Sequence, residues 1–71
     1  MRLRFLGSDS DVHRCPTLYA TDRGTYVVQG WTVTDPEALG DLRDVLEGES
    51  FVEIPRKVLD FARNEQVGEE F

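Results

Sequence analysis

Residues 16–33, PTLYATDRGTYVVQGWTV, show the clearest alternation of apolar and polar positions in the chain. Thr, Tyr, Val and Trp dominate the runs on either side of Asp22-Arg23-Gly24, which predicts a β-hairpin. Gly24 supplies the left-handed backbone that such a turn needs. If these three residues form the loop, Thr21 faces Thr25. The side chains then divide into two faces: Leu18, Ala20, Tyr26 and Val28 on one, and Thr17, Tyr19, Val27 and Gln29 on the other. We expect the first to face the core, because the second carries more polar groups.

The aromatic residues of the hairpin have two competing interpretations. Gly30 interrupts the second strand, and a glycine there often marks a bulge that would turn Trp31 inward. We expect Tyr26 and Trp31 to fill the core, since aromatic side chains bury the most area per residue. The alternative is a partner-binding patch, for which the candidates are Tyr19, Val27 and Trp31.

The first six residues alternate in the same way. Met1, Leu3 and Phe5 fall on one side, which we expect to face the core, and Arg2 and Arg4 fall on the other, facing water. Residues 7–15, GSDSDVHRC, lack periodic apolar positions and are predicted to form a loop.

A helix is predicted after the hairpin. Asp35 can accept bonds from the free amides of the first turn, and Pro36 has the φ angle of the first helical position. An apolar stripe expected to pack on the sheet follows: Leu39, Leu42, Val45 and Leu46. The helix should end at Glu47-Gly48, where glycine allows a turn.

The remaining residues predict a strand and a second helix. Residues 50–54 are typical of a short strand that Pro55 ends, and a helix starts at Arg56. Its packing stripe is Val58, Leu59 and Ala62, with Phe61 near one border. The fold class is therefore α+β: a small, mostly antiparallel sheet in the order β-β-β-α-β-α, with helices packed on one face. Residues 1–65 form a single domain and residues 66–71 a flexible tail. The fourth strand pairs with the first strand, with the hairpin or with another copy of the chain.

Composition narrows the function classes. A chain of 71 residues with 39% apolar residues forms one domain with a thin core, so a homodimer is an open alternative. The single Cys15 allows no intrachain disulfide, which indicates a reducing, cytoplasmic setting. Neither a secretory signal nor an apolar run near the ~20 residues of a membrane helix is present in the sequence, so we expect neither export nor membrane insertion.

The net charge of −6 disfavours general nucleic-acid binding and favours a basic protein partner. Glu37, Asp41 and Asp44 are either part of a solvated face or an acidic recognition surface. A sparse basic set supports an alternative, nucleic-acid binding by a dimer: Arg2, Arg4, Arg56, Lys57 and Arg63.

Residues typical of catalysis and metal binding are few. His13 and Cys15 are too few ligands for a zinc site, and as a catalytic pair they lack an orienting third group. Residues 8–11, SDSD, lack the glycine and the terminal glutamate of a calcium loop. We therefore expect no catalytic residue, no metal site and no cofactor.

Three segments, RFLGSDS, CPTLYATDRGTYVVQGWTVTDPEAL and VEIPRKVL, together resemble a group of short uncharacterised actinobacterial proteins over most of residues 4–59. Members of that group lie near helix-turn-helix regulators, which implies a small regulatory or interaction partner and assigns no catalytic residue. Separately, SFVEIPRKVLDFA, residues 50–62, is similar to the strand, Ile-Pro and basic-helix segment of AbrB- and MazE-type regulators and antitoxins. That similarity implies DNA binding.

The leading hypothesis is a non-enzymatic module that binds another protein, including an accessory role to a DNA-binding regulator. One alternative is a weak nucleic-acid-binding dimer of the AbrB and antitoxin kind. The other is an enzyme whose site is shared between two copies, since a chain this short does not readily enclose a large pocket.

Overall fold

A computed structural model describes residues 1–9 and 15–67 of the chain, with the backbone alone for residues 65–67. The elements in chain order are β1 (Leu3–Ser8), β2 (Thr17–Thr21), β3 (Tyr26–Gln29), β4 (Trp31–Thr32), α1 (Pro36–Asp41), β5 (Val52–Glu53), α2 (Lys57–Asp60) and a 3-10 helix (Phe61–Val67). β1, β2 and β3 form an antiparallel sheet in that order, and β4 pairs with β5 in a separate antiparallel ribbon. The predicted α+β class is confirmed. Of the predicted tail, residues 66 and 67 belong to the 3-10 helix, and residues 68–71 lie outside the described residues.

The hairpin has the predicted register. Leu18 pairs with Val28 across β2 and β3, and the backbone amide of Thr21 donates to the carbonyl of Thr25 at 2.9 Å. Gly24 has a φ of +75°, the left-handed conformation that the turn requires. The hydroxyl of Thr21 also accepts a bond from the Thr25 amide at 3.2 Å, so a buried side chain closes the turn.

The core lies between the three-stranded sheet and the helices that follow β5. The core cluster of buried apolar side chains comes from β1, β2 and α2: Leu6, Leu18, Ala20 and Val58. Half-buried side chains pack around them: Val28, Ile54, Phe61 and Ala62. α2 and the 3-10 helix therefore cover one face of the sheet. Within the predicted helix stripe, Leu59 is instead exposed, and Phe61 takes its place against the core.

β1 contains a bulge that sets which of its side chains are buried. The pairing with β2 passes from Phe5 to Gly7 on β1 while it advances by one residue on β2, so Leu6 is an extra residue. Leu6 belongs to the core cluster, and a Cβ added at Gly7 would overlap the ring of Phe61. Two consecutive residues of β1 therefore face the core.

The expectation that Met1, Leu3 and Phe5 face the core is wrong. Their exposed fractions are 69%, 46% and 43%, whereas Arg4, expected in water, is half-buried. Side chains alternate along a strand, so burial of Leu6 on the core side places Phe5 and Leu3 on the opposite face.

The carbonyl of Leu6, within the bulge, accepts a hydrogen bond from Nδ2 of Asn64 at 2.5 Å. A bulged residue is left out of the regular ladder between strands. The Asn64 side chain supplies a partner for it and ties the 3-10 helix to β1.

α1 begins as predicted and ends earlier. Oδ2 of Asp35 accepts a bond from the amide of Ala38 at 2.9 Å, and Pro36 occupies the first turn. The helix ends at Asp41, with Leu42 as its C-cap, rather than at residues 47–48. α1 has no buried residue, and most of its predicted packing stripe is exposed: Leu39, Val45 and Leu46. The expectation that this stripe packs on the sheet is therefore wrong.

The pairing of β4 with β5 explains the short helix. The amide of Val33 donates to the carbonyl of Phe51 at 3.0 Å. The chain that leaves β4 after residue 33 must therefore return to it by residue 51. A helix continued to residue 47 would carry the chain away by about 1.5 Å per residue. Asp44, with φ of +56°, and Gly48, with φ of +91°, turn the chain back instead.

Gly30 separates the sheet from the ribbon. A Cβ here would lie 2.6 Å from Cγ2 of Ile54 and 2.8 Å from the carbonyl oxygen of Glu53, so the close approach of the chain at β5 needs glycine. Trp31 lies beyond this point and is 54% exposed, and Tyr26 is 47% exposed. The expectation that both aromatic residues fill the core is wrong. Side chains from the helices after β5 cover the core face of the sheet instead.

Candidate functional site

The net charge of the chain is concentrated in one segment. Residues 31–53, which we call the acidic segment, contain seven carboxylates and one cationic residue, Arg43, and carry a formal charge of −6. The other 48 residues contain seven acidic and seven basic residues and are formally neutral. The whole net charge therefore belongs to β4, α1, β5 and the loops between them.

The carboxylates of the acidic segment are all exposed: Asp35, Glu37, Asp41, Asp44, Glu47, Glu49 and Glu53. Three of them are the predicted partner-binding residues. Glu37 and Asp41 are four residues apart on α1 and so lie on the same side of the helix. Asp44 follows in the loop. The structure keeps these three side chains in water, where a basic partner could reach them.

A cleft of about 630 Å³ opens between the ribbon and the start of α1. Its lining consists of Thr32, Val33, Thr34, Asp35, Ala38, Val52 and Glu53. Pockets of about 300–1,000 Å³ are typical of ligand sites. Carboxylates at Asp35 and Glu53 stand beside apolar groups at Ala38 and Val52. The cleft therefore suits a group with an apolar stem and a positively charged end, such as a lysine or arginine side chain.

Trp31 lies directly opposite Glu53 in the ribbon. Residues paired across antiparallel strands project to the same side, with Cβ atoms about 5 Å apart. An indole ring and a carboxylate are thus neighbours, and both are exposed. The ring face and the carboxylate each attract a cation.

The predicted patch of Tyr19, Val27 and Trp31 is divided by the structure. Tyr19 pairs with Val27 across β2 and β3, and both are half-buried on the face of the sheet opposite the core. Phe5 pairs with Tyr19 from β1, with ring centroids 6.2 Å apart and an interplanar angle of 71°. Trp31 lies on the separate ribbon instead.

The residues predicted for the nucleic-acid alternative are distributed over the beginning of the chain, β1, α2 and the 3-10 helix: Arg2, Arg4, Arg56, Lys57 and Arg63. Arg4 is half-buried. Lys57 forms an ion pair with Asp9. The partial burial of Arg4 and the pairing of Lys57 with Asp9 both reduce the positive charge that this set of residues presents to phosphates.

The residues considered for catalysis and metal binding lie only in part within the described residues. Cys15 is half-buried, and His13 lies outside the described residues, as do residues 10 and 11 of the SDSD stretch. Within residues 1–9 and 15–67, His, Cys, Asp and Glu side chains form no group of three or more that could hold a metal ion. None of the helices in this described part has the length and apolar character needed to cross a membrane.

Sequence reasoning missed Glu53 and Phe5 as surface residues of interest. The position of Glu53 beside Trp31 depends on a pairing between residues 22 positions apart, which has no local signal. The exposure of Phe5 depends on the bulge at Leu6. Both residues follow from contacts that only the folded chain makes.

Comparison of the chain with protein-family models, with curated proteins and with solved structures finds no match.

Proposed function

We propose that this chain is a non-enzymatic interaction module that binds a basic segment of another protein through the acidic segment. The observation that carries the proposal is the formal charge of −6 on residues 31–53, whose carboxylates are all exposed, while the other residues are formally neutral. An excess of exposed carboxylates steers a cationic partner toward the acidic segment and repels an anionic one.

The acidic segment also exposes large apolar side chains: Trp31, Leu39, Val45, Leu46 and Val52. Large apolar side chains that a domain leaves in water are candidates for contact with a partner when they form a patch, and these five all belong to the acidic segment. A partner with both cations and apolar groups, such as an amphipathic basic helix, would satisfy both features. In this proposal the carboxylates direct the approach of the partner and the apolar side chains retain it.

The cleft beside α1 gives the partner an anchoring point. An extended lysine or arginine side chain can lay its methylene groups against Val52 and Ala38 and direct its charge to the carboxylate of Glu53. Trp31, on the same ribbon, offers an aromatic face for a second cation.

The resemblance to proteins found near helix-turn-helix regulators makes a DNA-binding regulator the leading candidate for the basic partner. Regulators of that kind present a basic surface to phosphates. A carboxylate-rich module that covers this surface would compete with DNA for it. A cytoplasmic location, where such regulators act, belongs to the same proposal.

The test uses Trp31 fluorescence, because Trp31 is the only tryptophan of the chain. The probe is an amphipathic helical peptide of about five turns, with arginine and lysine on one face and leucine on the other. A peptide of the same composition, reordered so that it has no apolar face, is the matched control. We expect the amphipathic peptide to bind more tightly, with an affinity that falls as salt rises.

Paired variants locate the binding surface. Asp41→Asn with Asp44→Asn removes two charges from the acidic segment, and Asp22→Asn with Asp60→Asn removes two exposed charges outside it. Exposed ion pairs contribute about 0.2–1 kcal/mol each, so the first double variant should bind about fivefold more weakly. Equal losses in both double variants, or no peptide binding at low ionic strength, would refute the proposal. Binding of duplex DNA instead of the peptide would favour the nucleic-acid alternative.

A further inference from the structure

Trp31 and Glu53 stand side by side on the ribbon of β4 and β5. The amide of Val33 donates to the carbonyl of Phe51, which makes these two residues a hydrogen-bonded pair. Trp31 and Glu53 pair two residues along each strand, so they form the next hydrogen-bonded pair, with Cα atoms about 5.5 Å apart. Residues paired in this way project to the same side of a ribbon. The indole ring and the carboxylate therefore leave the backbone as neighbours.

Close contact between the two strands fixes this spacing. Gly30 directly precedes Trp31, and a Cβ built at Gly30 would lie 2.8 Å from the carbonyl oxygen of Glu53 and 2.6 Å from Cγ2 of Ile54. The two backbones thus approach closely where the ribbon leaves the sheet. Side chains on paired strands are positioned more precisely than side chains on loops. The ring and the carboxylate are therefore held at a set separation before a ligand arrives.

Both groups face water. Trp31 is 54% exposed, and Glu53 is exposed as well. Within residues 1–9 and 15–67, the Glu53 carboxylate forms no ion pair. Arg43, the one cationic residue of the acidic segment, donates instead to the carbonyls of Gly40 and Leu42, at 3.1 and 3.2 Å. A cation of a partner can therefore reach the ring and the carboxylate together.

The chemistry of this pair distinguishes arginine from lysine. A guanidinium is planar, so it can stack over an indole within about 6 Å of the ring centroid. Its edge can at the same time donate two parallel N–H bonds, of about 2.8 Å, to a carboxylate. An ammonium is a compact, strongly hydrated charge that has neither the flat face nor the fork of donors. A ring beside a carboxylate therefore satisfies arginine more fully than lysine.

We propose that Trp31 and Glu53 form a clamp for one arginine side chain of the basic partner and select arginine over lysine. We call these two residues the arginine clamp. The inference rests on the proposed function, because it names the side chain that the acidic segment recognises. The other carboxylates attract any cation, and Asp35 in the cleft beside α1 remains for a second one of either kind.

Two labelled amphipathic peptides test the arginine clamp by fluorescence anisotropy. One carries only arginine on its polar face and the other only lysine, with the same leucine face. An exposed cation–π contact changes affinity by about two- to fivefold, and a forked carboxylate bond adds to it, so the arginine peptide should bind about fivefold more tightly or better. Binding of both peptides with equal affinity would refute the clamp and leave the proposed function standing. Absence of binding by either peptide at low ionic strength would refute both.

Matched variants show whether the preference arises at the arginine clamp. Trp31→Leu removes the ring, Glu53→Gln removes the charge, and each should reduce the preference for arginine to less than about twofold. Tyr26→Leu removes a ring of similar exposure, 47%, outside the acidic segment, and should leave the preference unchanged. Glu47→Gln removes another exposed charge of the acidic segment and should weaken both peptides alike. A preference that survives in Trp31→Leu or in Glu53→Gln would refute the clamp.

The wild-type chain provides a second measurement if either variant fails to fold. Its single tryptophan gives one indole N–H resonance in a nuclear magnetic resonance spectrum. Titration with acetyl-arginine amide should shift this resonance further than acetyl-lysine amide at the same concentration, because only the guanidinium stacks flat on the ring. Equal shifts with the two compounds, or no shift with either, would overturn the inference.

Discussion

Replacing Gly7 with alanine tests the contact that decides which face of β1 is buried. A Cβ at this position would lie 2.6 Å from Cδ1 and Cδ2 of Phe61, and closer still to Cγ. Non-bonded carbons rest at about 3.5–4.0 Å, so the ring must move by about 1 Å. Gly7 is not in the left-handed region, so alanine has no backbone penalty there. The overlap with Phe61 is thus the main cost of the substitution.

The expected loss of stability follows from two opposing terms. Overpacking a well-filled site costs about 1–3 kcal/mol, and Phe61 packs against the core cluster. Alanine in place of glycine lowers the entropy of the unfolded chain, which returns about 0.4–1 kcal/mol. We expect a net decrease of about 1–2 kcal/mol in the free energy of unfolding. That is a large part of the total of about 4–10 kcal/mol for a domain of this size.

Urea unfolding followed by far-ultraviolet circular dichroism measures this difference. Gly40→Ala is the matched control, because nothing lies within 4 Å of a Cβ built at Gly40. The control should leave the urea midpoint unchanged, because alanine favours the helix only locally and α1 has no buried residue. A Gly7→Ala chain as stable as the wild type would show that Phe61 does not lie on β1. Adding Phe61→Leu to Gly7→Ala should restore part of the loss, because the two changes interact.

Three further substitutions test other contacts. Asn64→Ala removes the donor to the Leu6 carbonyl in a part-buried hydrogen bond and should lower the free energy of unfolding by about 0.5–1.5 kcal/mol in the same assay. Asp35→Ala removes the cap of α1, which costs about 1 kcal/mol locally. Since α1 has no buried residue, its amides should exchange about fivefold faster while the urea midpoint stays constant; a lower midpoint would contradict this. Gly30→Ala brings a Cβ into Ile54, so amide chemical shifts of β4 and β5 should change while those of the hairpin persist.

The chain-local features were predictable from the sequence. The hairpin register follows from the Asp22-Arg23-Gly24 turn and the alternation on either side of it, and the structure confirms both. The start of α1 is also confirmed, because an aspartate followed by proline satisfies the first helical turn from within four residues. The high density of carboxylates around α1 could likewise be read directly from the residue types.

The distribution of buried and exposed surfaces was not predictable in the same way. The alternation of Phe5 with Arg4 predicts that Phe5 faces the core, but the bulge at Leu6 and the ring of Phe61 over Gly7 place Phe5 on the opposite face. The stripe of α1 has the spacing of a packing helix, yet the return of the chain to β4 leaves it in water. In both cases the deciding contact joins residues far apart in the chain.

By itself, the sequence determined the turns, the helix start and the sign of the charge, because each depends on neighbours within a few residues. The tertiary structure decided that Trp31 stands beside Glu53 and that Phe5 joins Tyr19 on an outer face. The physical reason is that a side chain can be buried only where another part of the chain covers it. In this protein the covering residues of the sheet come from α2 and the 3-10 helix, about 40 residues or more beyond β2 and β1.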